Sequence, residues 1–336
     1  MMPDLPVGKI NPDILERLLS DFTGRGGRVV IGAGIGEDAT IIDMGNNFLV
    51  AKTDPITHVS SWIGYYAVNI NANDIAAMGG KPLWFLATIL LPPDSSAEAL
   101  ERIFSQLHES CNAHGIIYCG GHTEVTSSVS RPVVIGQMLG EVEKDLLKPT
   151  SGAKLGDDLV MTKSAAIEAT AIIALEKEEE LQSHFSKELI ANAQGFLLKP
   201  GISVLNDARI AAPYPEVHAL HDPTEGGITT GISEIAAASS LGVKIDRGKI
   251  FIAKETQLLC ERYDVDPLGT FASGALLITV SPNFTEQLLS ELRGAGIPAT
   301  RIGVMEPKEA GLKMEIGNKS VPLPLYTQDE ISKIFG

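Results

Sequence analysis

Cysteine is nearly missing from this chain. Its 336 residues include only Cys111, Cys119 and Cys260, with no CxxC pair. An odd total without paired spacing excludes a disulfide framework and a zinc site built on thiolates. Aromatic residues make up 5%, which neither shows nor excludes an aromatic pocket. Basic residues are short as well: 27 Lys and Arg stand against 42 Asp and Glu, a formal charge of -15. That balance argues against nucleic acid or an anionic membrane as the main partner. It does not argue against nucleotides, because a divalent cation can mask carboxylate repulsion locally. Long apolar runs are absent too. The stretch from Leu83 to Leu91 is far below the ~20 residues that span a bilayer. The first ten residues lack the basic start and apolar core of a signal peptide, which leaves the cytoplasm as the expected location.

Hydrophobic residues reach 44% and charged ones 21%, the balance of a globular protein with a large core. The length suggests two domains of α/β type. A Pro-, Gly-, Ser- and Lys-rich stretch from Lys144 to Asp158 marks the expected boundary, giving domains over 1–150 and 151–336. The continuous apolar run after Pro82 reads as a central strand. Asn11 and Pro12 read as the N-cap and first residue of a helix. Ser95 and Glu98 read as a capping box, and Ile167 to Leu181 as one helix. The stretch from Ile116 to Val125 reads as a strand that breaks into a Gly-Gly loop. Cys119, at the end of that strand, is expected to be buried and unreactive.

A helix beginning near Ser60 organises the first half. Trp62, Tyr66, Ile70 and Ala77 recur at helical spacing, and Gly79, Gly80 and Pro82 close it. Its polar positions are Asn69, Asn73 and Asp74, all poor helix formers. Short polar groups on an apolar helix need partners, either within the fold or from a metal ion or ligand.

Several loops share one design, in which an apolar strand is followed by glycine and a carboxylate. They are Gly34 to Asp38, Lys52 to Pro55, Gly120 to Glu124 and His221 to Gly227. With Asp74 they supply Asp38, Asp54, Asp74, Glu124 and Asp222 as a possible converging set. Glycines such as Gly34, Gly36, Gly120, Gly121, Gly226 and Gly227 let backbone amides approach a phosphate. Aspartates at strand ends are short oxygen ligands suited to magnesium held against phosphate. The bland alternative for each loop is a turn with a capping or solvated aspartate. Gly32, Gly34 and Gly36 are spaced GxGxG, not GxGxxG, and no GxxxxGK[ST] occurs.

The ordered set GIGEDA, TDP, NDIAAMGGKP, GGHTEV, GD at Gly156–Asp157, HDPTEGG and ASGALLITV resembles the PurM-like superfamily. That superfamily includes aminoimidazole ribonucleotide synthetase, selenophosphate synthetase, thiamine-monophosphate kinase and the hydrogenase maturation protein HypE. The likeness runs from Gly34 to about Val304 and is nearest to the HypE-related, AIR synthase-related branch. It implies a two-domain α/β (α+β) architecture: an N-terminal mixed-sheet domain forming a dimer barrel, and a C-terminal α/β domain. It also implies a homodimer that binds ATP and Mg2+ in a cleft lined by these loops. Carried over, Asp38, Asp54, Asp74 and Asp222 match metal- and phosphate-contacting aspartates. Asn73 matches the Asn of the ND pair, Gly120 and Gly121 match the Gly-Gly loop, and Thr224 falls within the HDPTEGG match.

Three departures stand out. His122 and Glu124 replace the Asp and Lys of a typical HypE loop. The chain ends DEISKIFG without the HypE terminal cysteine. Only Lys9 stands near the N-terminus where selenophosphate synthetase has a reactive Cys or selenocysteine. The reading is an ATP-dependent enzyme that phosphorylates a carbonyl or amide oxygen on a small-molecule or protein-bound substrate. Glu124 is assigned as base or extra ligand, His122 as a candidate catalytic group and Lys163 as a phosphate or substrate contact. A small-molecule kinase of the thiamine-monophosphate kinase type is the second reading, and a nucleotide-sensing assembly partner without turnover the third. The missing terminal cysteine predicts that no carbamoyl or cyano group is carried on this chain.

Overall fold

The structure is a computed structural model, and it describes residues 8, 10–24, 26–34, 36–57, 59–326 and 328–335. Lys9 lies outside the described residues. In chain order, the first half contains α1 (Pro12–Phe22), β1 (Val29–Ile31), β2 (Thr40–Asp43), β3 (Asn47–Ile56), α2 (Ile63–Ala77), β4 (Lys81–Leu91), α3 (Ala97–His114), β5 (Ile117–Val125) and β6 (Val133–Glu143). The second half contains β7 (Asp158–Thr162), α4 (Ile167–Glu176), α5 (Glu178–Leu181), α6 (Lys187–Gly195), α7 (Leu205–Ala211), β8 (Val217–His221), α8 (Gly227–Ala238) and β9 (Gly242–Asp246). It closes with α9 (Lys254–Tyr263), β10 (Leu277–Val280), α10 (Thr285–Gly294), β11 (Ala299–Glu306), β12 (Leu312–Ile316), β13 (Lys319–Pro322) and α11 (Ser332–Phe335). The strands form a six-stranded mixed sheet, β1-β2-β3-β6-β4-β5, and a seven-stranded sheet, β13-β12-β9-β11-β7-β10-β8. The protein is therefore a mixed α/β fold of two domains.

Helix α2 is apolar nearly all round, and every residue but Tyr65 is buried, as expected of a helix enclosed on all sides. It lies between the first sheet, α3 and α7. Two glycines of β6 make that close approach possible: a Cβ on Gly136 would strike Asn71, and one on Gly140 would strike Ile75. The helix asparagines find their partners within the fold. Asn69 Nδ2 donates to the Tyr65 carbonyl at 2.9 Å, and its Oδ1 meets His114 Nε2 at 2.9 Å. Asn71 exchanges bonds with the backbone of Asp54, accepting from its N–H at 2.9 Å and donating to its carbonyl at 3.3 Å. Asn73 donates to the Ile202 carbonyl at 2.8 Å and accepts from the Val204 N–H at 2.9 Å. These poor helix formers act as struts that tie α2 to β3 and to the second domain.

The run after Gly80 is central, as its composition suggests: β4 pairs with both β6 and β5. In the second sheet, β7 and β10 are buried along their whole length. Leu159, Met161 and Leu277 pack towards α8, while Val160, Ile278 and Val280 pack towards α7 and α10. Core residues of the first domain run on into α4 and α6 and reach Ile331 near the C-terminus, so one part of the seam between domains is apolar.

Four local readings differ from the structure. The cap of α3 is Ser96, whose Oγ accepts from Ala99 N–H at 3.2 Å; Ser95 turns back to the Pro92 carbonyl instead. The helix expected over Ile167 to Leu181 breaks at Lys177. The Gly-Gly stretch is not a loop, since β5 runs on to Val125. Gly121, at φ 145°, sits where any Cβ would meet the Ala87 backbone of β4. Because β5 is the outer strand and its side chains are largely exposed, Cys119 is exposed too, not buried.

Candidate metal and phosphate site

Three aspartates from distant parts of the sequence meet where the domains touch. Asp38 precedes β2, Asp74 lies in the last turn of α2 and Asp222 directly follows β8. One carboxylate oxygen from each lies within 4.8 Å of the others, and all three side chains are buried. Asp54, on β3, stands at the edge of this trio. Lys52, two residues earlier and so on the same strand face, bridges them: its Nζ is 3.0 Å from Asp74 Oδ1 and 3.4 Å from Asp54 Oδ2.

The protein's own groups leave the carboxylate cluster electrostatically unbalanced. Both oxygens of Asp222 and Oδ2 of Asp74 are buried without a hydrogen-bond partner. Burial pushes the Asp222 pKa well up, and the neighbouring Asp74 and Asp38 add to it against His221 and Lys52. Burial likewise drives up Asp74, which Lys52 opposes and Asp54 and Asp38 reinforce. Burial disfavours the Lys52 ammonium, but Asp74, Asp54 and Asp38 together outweigh it and hold its pKa above the ordinary lysine value. A buried charge without a partner costs several kcal/mol, roughly. A hard divalent cation liganded by carboxylate oxygens, as magnesium prefers, would satisfy the orphaned oxygens and relieve the repulsion together. The donor set fits Mg2+.

His221 is a site residue that the sequence reading passed over. It crosses between the domains: Nδ1 lies 2.7 Å from Asp38 Oδ1 and Nε2 lies 3.0 Å from Glu234 Oε2. Burial works against its charged form, yet the two carboxylates prevail and raise its pKa well above the usual histidine value. An imidazolium clamped in this way fixes the orientation of Asp38. Lys52 was overlooked in the same way. The available signal was position, since each cation lies one or two residues from an assigned aspartate.

Two cavities flank the carboxylates. One, of about 460 Å³, is walled by Gly32, Gly34, Asp38, Lys52 and Gln137 together with α1. The other, of about 240 Å³, has Asp54 and Thr224 in its wall. Gly36 packs against Glu234. Gly226 and Gly227, at φ 83° and 74°, open α8. The Gly226 amide is already taken by Asp329 Oδ2 of the C-terminal segment, at 2.7 Å.

The remaining sequence candidates lie apart from the trio within one chain. Gly121 shares a row with Asp54 through Ala87 and Gly136, and three strand spacings make that ~14 Å. His122 and Glu124 sit beyond it on the exposed edge, 3.2 Å from each other. Lys163 is buried in an ion pair with Asp207 at 3.0 Å and donates to the Ser203 carbonyl at 2.7 Å. Asn73 holds the 202–204 segment, as described above.

Comparison with known proteins agrees with this architecture. Residues 36–142 match the model for the AIR synthase related protein N-terminal domain, and residues 154–314 the corresponding C-terminal domain. A candidate hydrogenase expression/formation protein of Methanocaldococcus jannaschii is 24% identical over 328 residues, covering 93% of this chain and 94% of its own. Carbamoyl dehydratase HypE of Cupriavidus necator is 28% identical over 247 residues, covering 72% of this chain and 67% of its own. Among solved structures, the hydrogenase maturation protein HypE in complex with ATP superposes with a TM-score of 0.68 at 20% identity. That alignment covers 93% of this chain and 95% of the other. With both domain models matched in order across most of its length, the chain belongs to the AIR synthase-related family.

Proposed function

We propose that this protein is an ATP- and Mg2+-dependent enzyme of the HypE type, which phosphorylates a carbonyl or amide oxygen of its acceptor. The observation that carries this reading is the buried trio of Asp38, Asp74 and Asp222, whose orphaned oxygens call for a cation. On this reading Asp38, Asp74 and Asp222 hold Mg2+, with Asp54 reaching it from the side. The metal would neutralise phosphate charge, which phosphoryl transfer requires more than covalent help. Lys52 holds Asp54 and Asp74 in place through its ammonium group, and His221 fixes Asp38. The glycine-lined 460 Å³ cavity is assigned to the nucleotide phosphates and the 240 Å³ cavity to the acceptor. The likeness to a hydrogenase expression/formation protein and to a HypE solved with ATP supports the same choice.

A HypE-like cycle on this chain's own thiol is not part of the proposal. The C-terminal segment has no cysteine and is fastened down: Asp329 accepts from Gly226, Ile331 is buried and Ile334 packs on the core. Burial raises the Cys111 and Cys260 thiols to about 12. On this reading the acceptor is a small molecule or a group carried by a partner protein. Calorimetry with ATP in the presence of Mg2+ or EDTA, followed by ADP-release assays, tests the reading. Mg2+-dependent binding that Asp74→Asn abolishes is the expected result. Equal ATP affinity with and without Mg2+ would remove the basis of the proposal.

A further inference from the structure

The three aspartates of the trio differ in what holds them in place. Asp38 is gripped by His221 at 2.7 Å and by the Thr150 hydroxyl at 3.3 Å. Asp74 is gripped by Lys52 at 3.0 Å. Neither oxygen of Asp222 has a hydrogen-bond partner, so the backbone that follows it must set its place. That backbone runs into Gly226 and Gly227, both in the left-handed region. Glycine is the residue least able to hold such a conformation unaided. The Thr224 carbonyl is fixed by the Ala272 N–H at 3.2 Å and the Gly227 N–H at 3.1 Å. The Gly226 N–H is fixed from outside the loop, by Asp329 Oδ2 at 2.7 Å.

Asp329 is itself immobilised. It is buried, and its Oδ1 accepts from the Ile331 N–H at 2.9 Å. The Glu330 N–H donates to the Gly269 carbonyl at 3.0 Å, and Glu330 Oε2 accepts from the Asp266 N–H at 3.2 Å. Ile331 is buried in the core that runs from the first domain into α4 and α6. The carboxylate is thus carried on a segment tied both to second-domain loops and to that shared core. We propose that Asp329 is a positioning residue of the metal site: by clamping Gly226 it fixes the loop that carries Asp222, and so completes the ligand set for Mg2+. The inference rests on the Mg2+ assignment of the phosphoryl-transfer reading given above. Asp329 acts through the Asp222–Gly226 backbone, and the Gly226 amide serves this brace instead of a phosphate. A C-terminal segment that holds the loop cannot swing out as a carrier without loosening the metal site.

Mg2+ alone is the first probe, titrated against the melting temperature. Mg2+ with a non-hydrolysable ATP analogue is the second, followed by calorimetry. Wild type is compared with Asp329→Asn, Asp329→Ala and Tyr214→Phe. Tyr214 packs on the α7 and α10 side of the second sheet and donates its hydroxyl to Glu291 at 2.6 Å, so that variant removes a bond remote from the brace. Asparagine keeps one oxygen for the two N–H groups, and alanine keeps none. Mg2+ affinity is expected to fall about tenfold or more in Asp329→Ala, the scale of a lost hydrogen bond to a charged group. The fall should be smaller in Asp329→Asn and absent in Tyr214→Phe. Raising Mg2+ should restore analogue binding to Asp329→Ala, because the defect lies in the metal site. Unchanged Mg2+ affinity in the Asp329 variants, or a loss that Tyr214→Phe shares, overturns the brace and makes Asp329 a stability residue only. Where the alanine variant does not fold, the asparagine variant decides by the same criterion. A wild type that responds to Mg2+ without binding the analogue removes the phosphoryl-transfer reading and leaves the brace to be judged on the Mg2+ titration. A wild type indifferent to Mg2+ overturns both.

Discussion

Replacing Asp222 with asparagine separates a metal site from a structural cluster. Both Asp222 oxygens are buried without a hydrogen-bond partner, and Asp38 and Asp74 offer oxygens within 4.8 Å. Two like charges at about that separation repel by ~3–4 kcal/mol at an effective dielectric of 20. That figure is a ceiling, because burial and the neighbouring aspartates already favour protonation of Asp222. An amide of nearly the same size removes the charge and offers N–H donors to the two remaining carboxylates. A gain of about 1–3 kcal/mol in the metal-free state follows, the scale of one buried unsatisfied group. At about 3 °C per kcal/mol for a domain of this size, the melting temperature in EDTA should rise by several degrees. Magnesium acts the opposite way. Wild type at a hundredfold excess over Kd should gain about 2.7 kcal/mol, whereas the variant, lacking one ligand, should gain little. Thermal melts of both proteins in EDTA and across a Mg2+ titration give all four values. A variant that is less stable in EDTA and retains the full Mg2+ shift would refute the reasoning and make Asp222 a structural hydrogen-bonding residue.

Glu168 provides a pH test: its carboxyl titrates at about 7 in the fold against an ordinary 4.5, so its stabilising contribution is complete below about 4.5 and lost as pH rises through 7. Glu168→Gln should therefore gain on wild type by up to about 3 kcal/mol between pH 5 and 8, and a constant difference in melting temperature would contradict it. The chain should form a dimer through its N-terminal domains, since β5 leaves an exposed strand edge with Ile117 and Val125 uncovered; light scattering giving one chain's mass at micromolar concentration would count against this. Incubation with ATP and a carbamoyl donor system should leave the intact mass unchanged, and a stable adduct on Cys111, Cys119 or Cys260 would restore a carrier role.

The sequence alone carried the type of most elements and the identity of the aspartates. Hydrophobic periodicity is a local property, so α2, the central strand β4 and the largely apolar β7 could be read from it. The ordered glycine–carboxylate motifs were sufficient to identify the family. Convergence was another matter, because it depends on packing between residues far apart in the chain. Only the tertiary structure brought Asp38, Asp74 and Asp222 together and left Gly120 to Glu124 three strands away from Asp54. Asn69, Asn71 and Asn73 show why a residue type does not settle a role. Besides carbonyls one turn back in α2, their partners are backbone groups and a histidine supplied by other elements, and no spacing within α2 reveals those. The same holds for Lys52, His221 and Glu168. A charged side chain takes its function from the charges and the burial around it, and in this protein those are set by the seam between two domains.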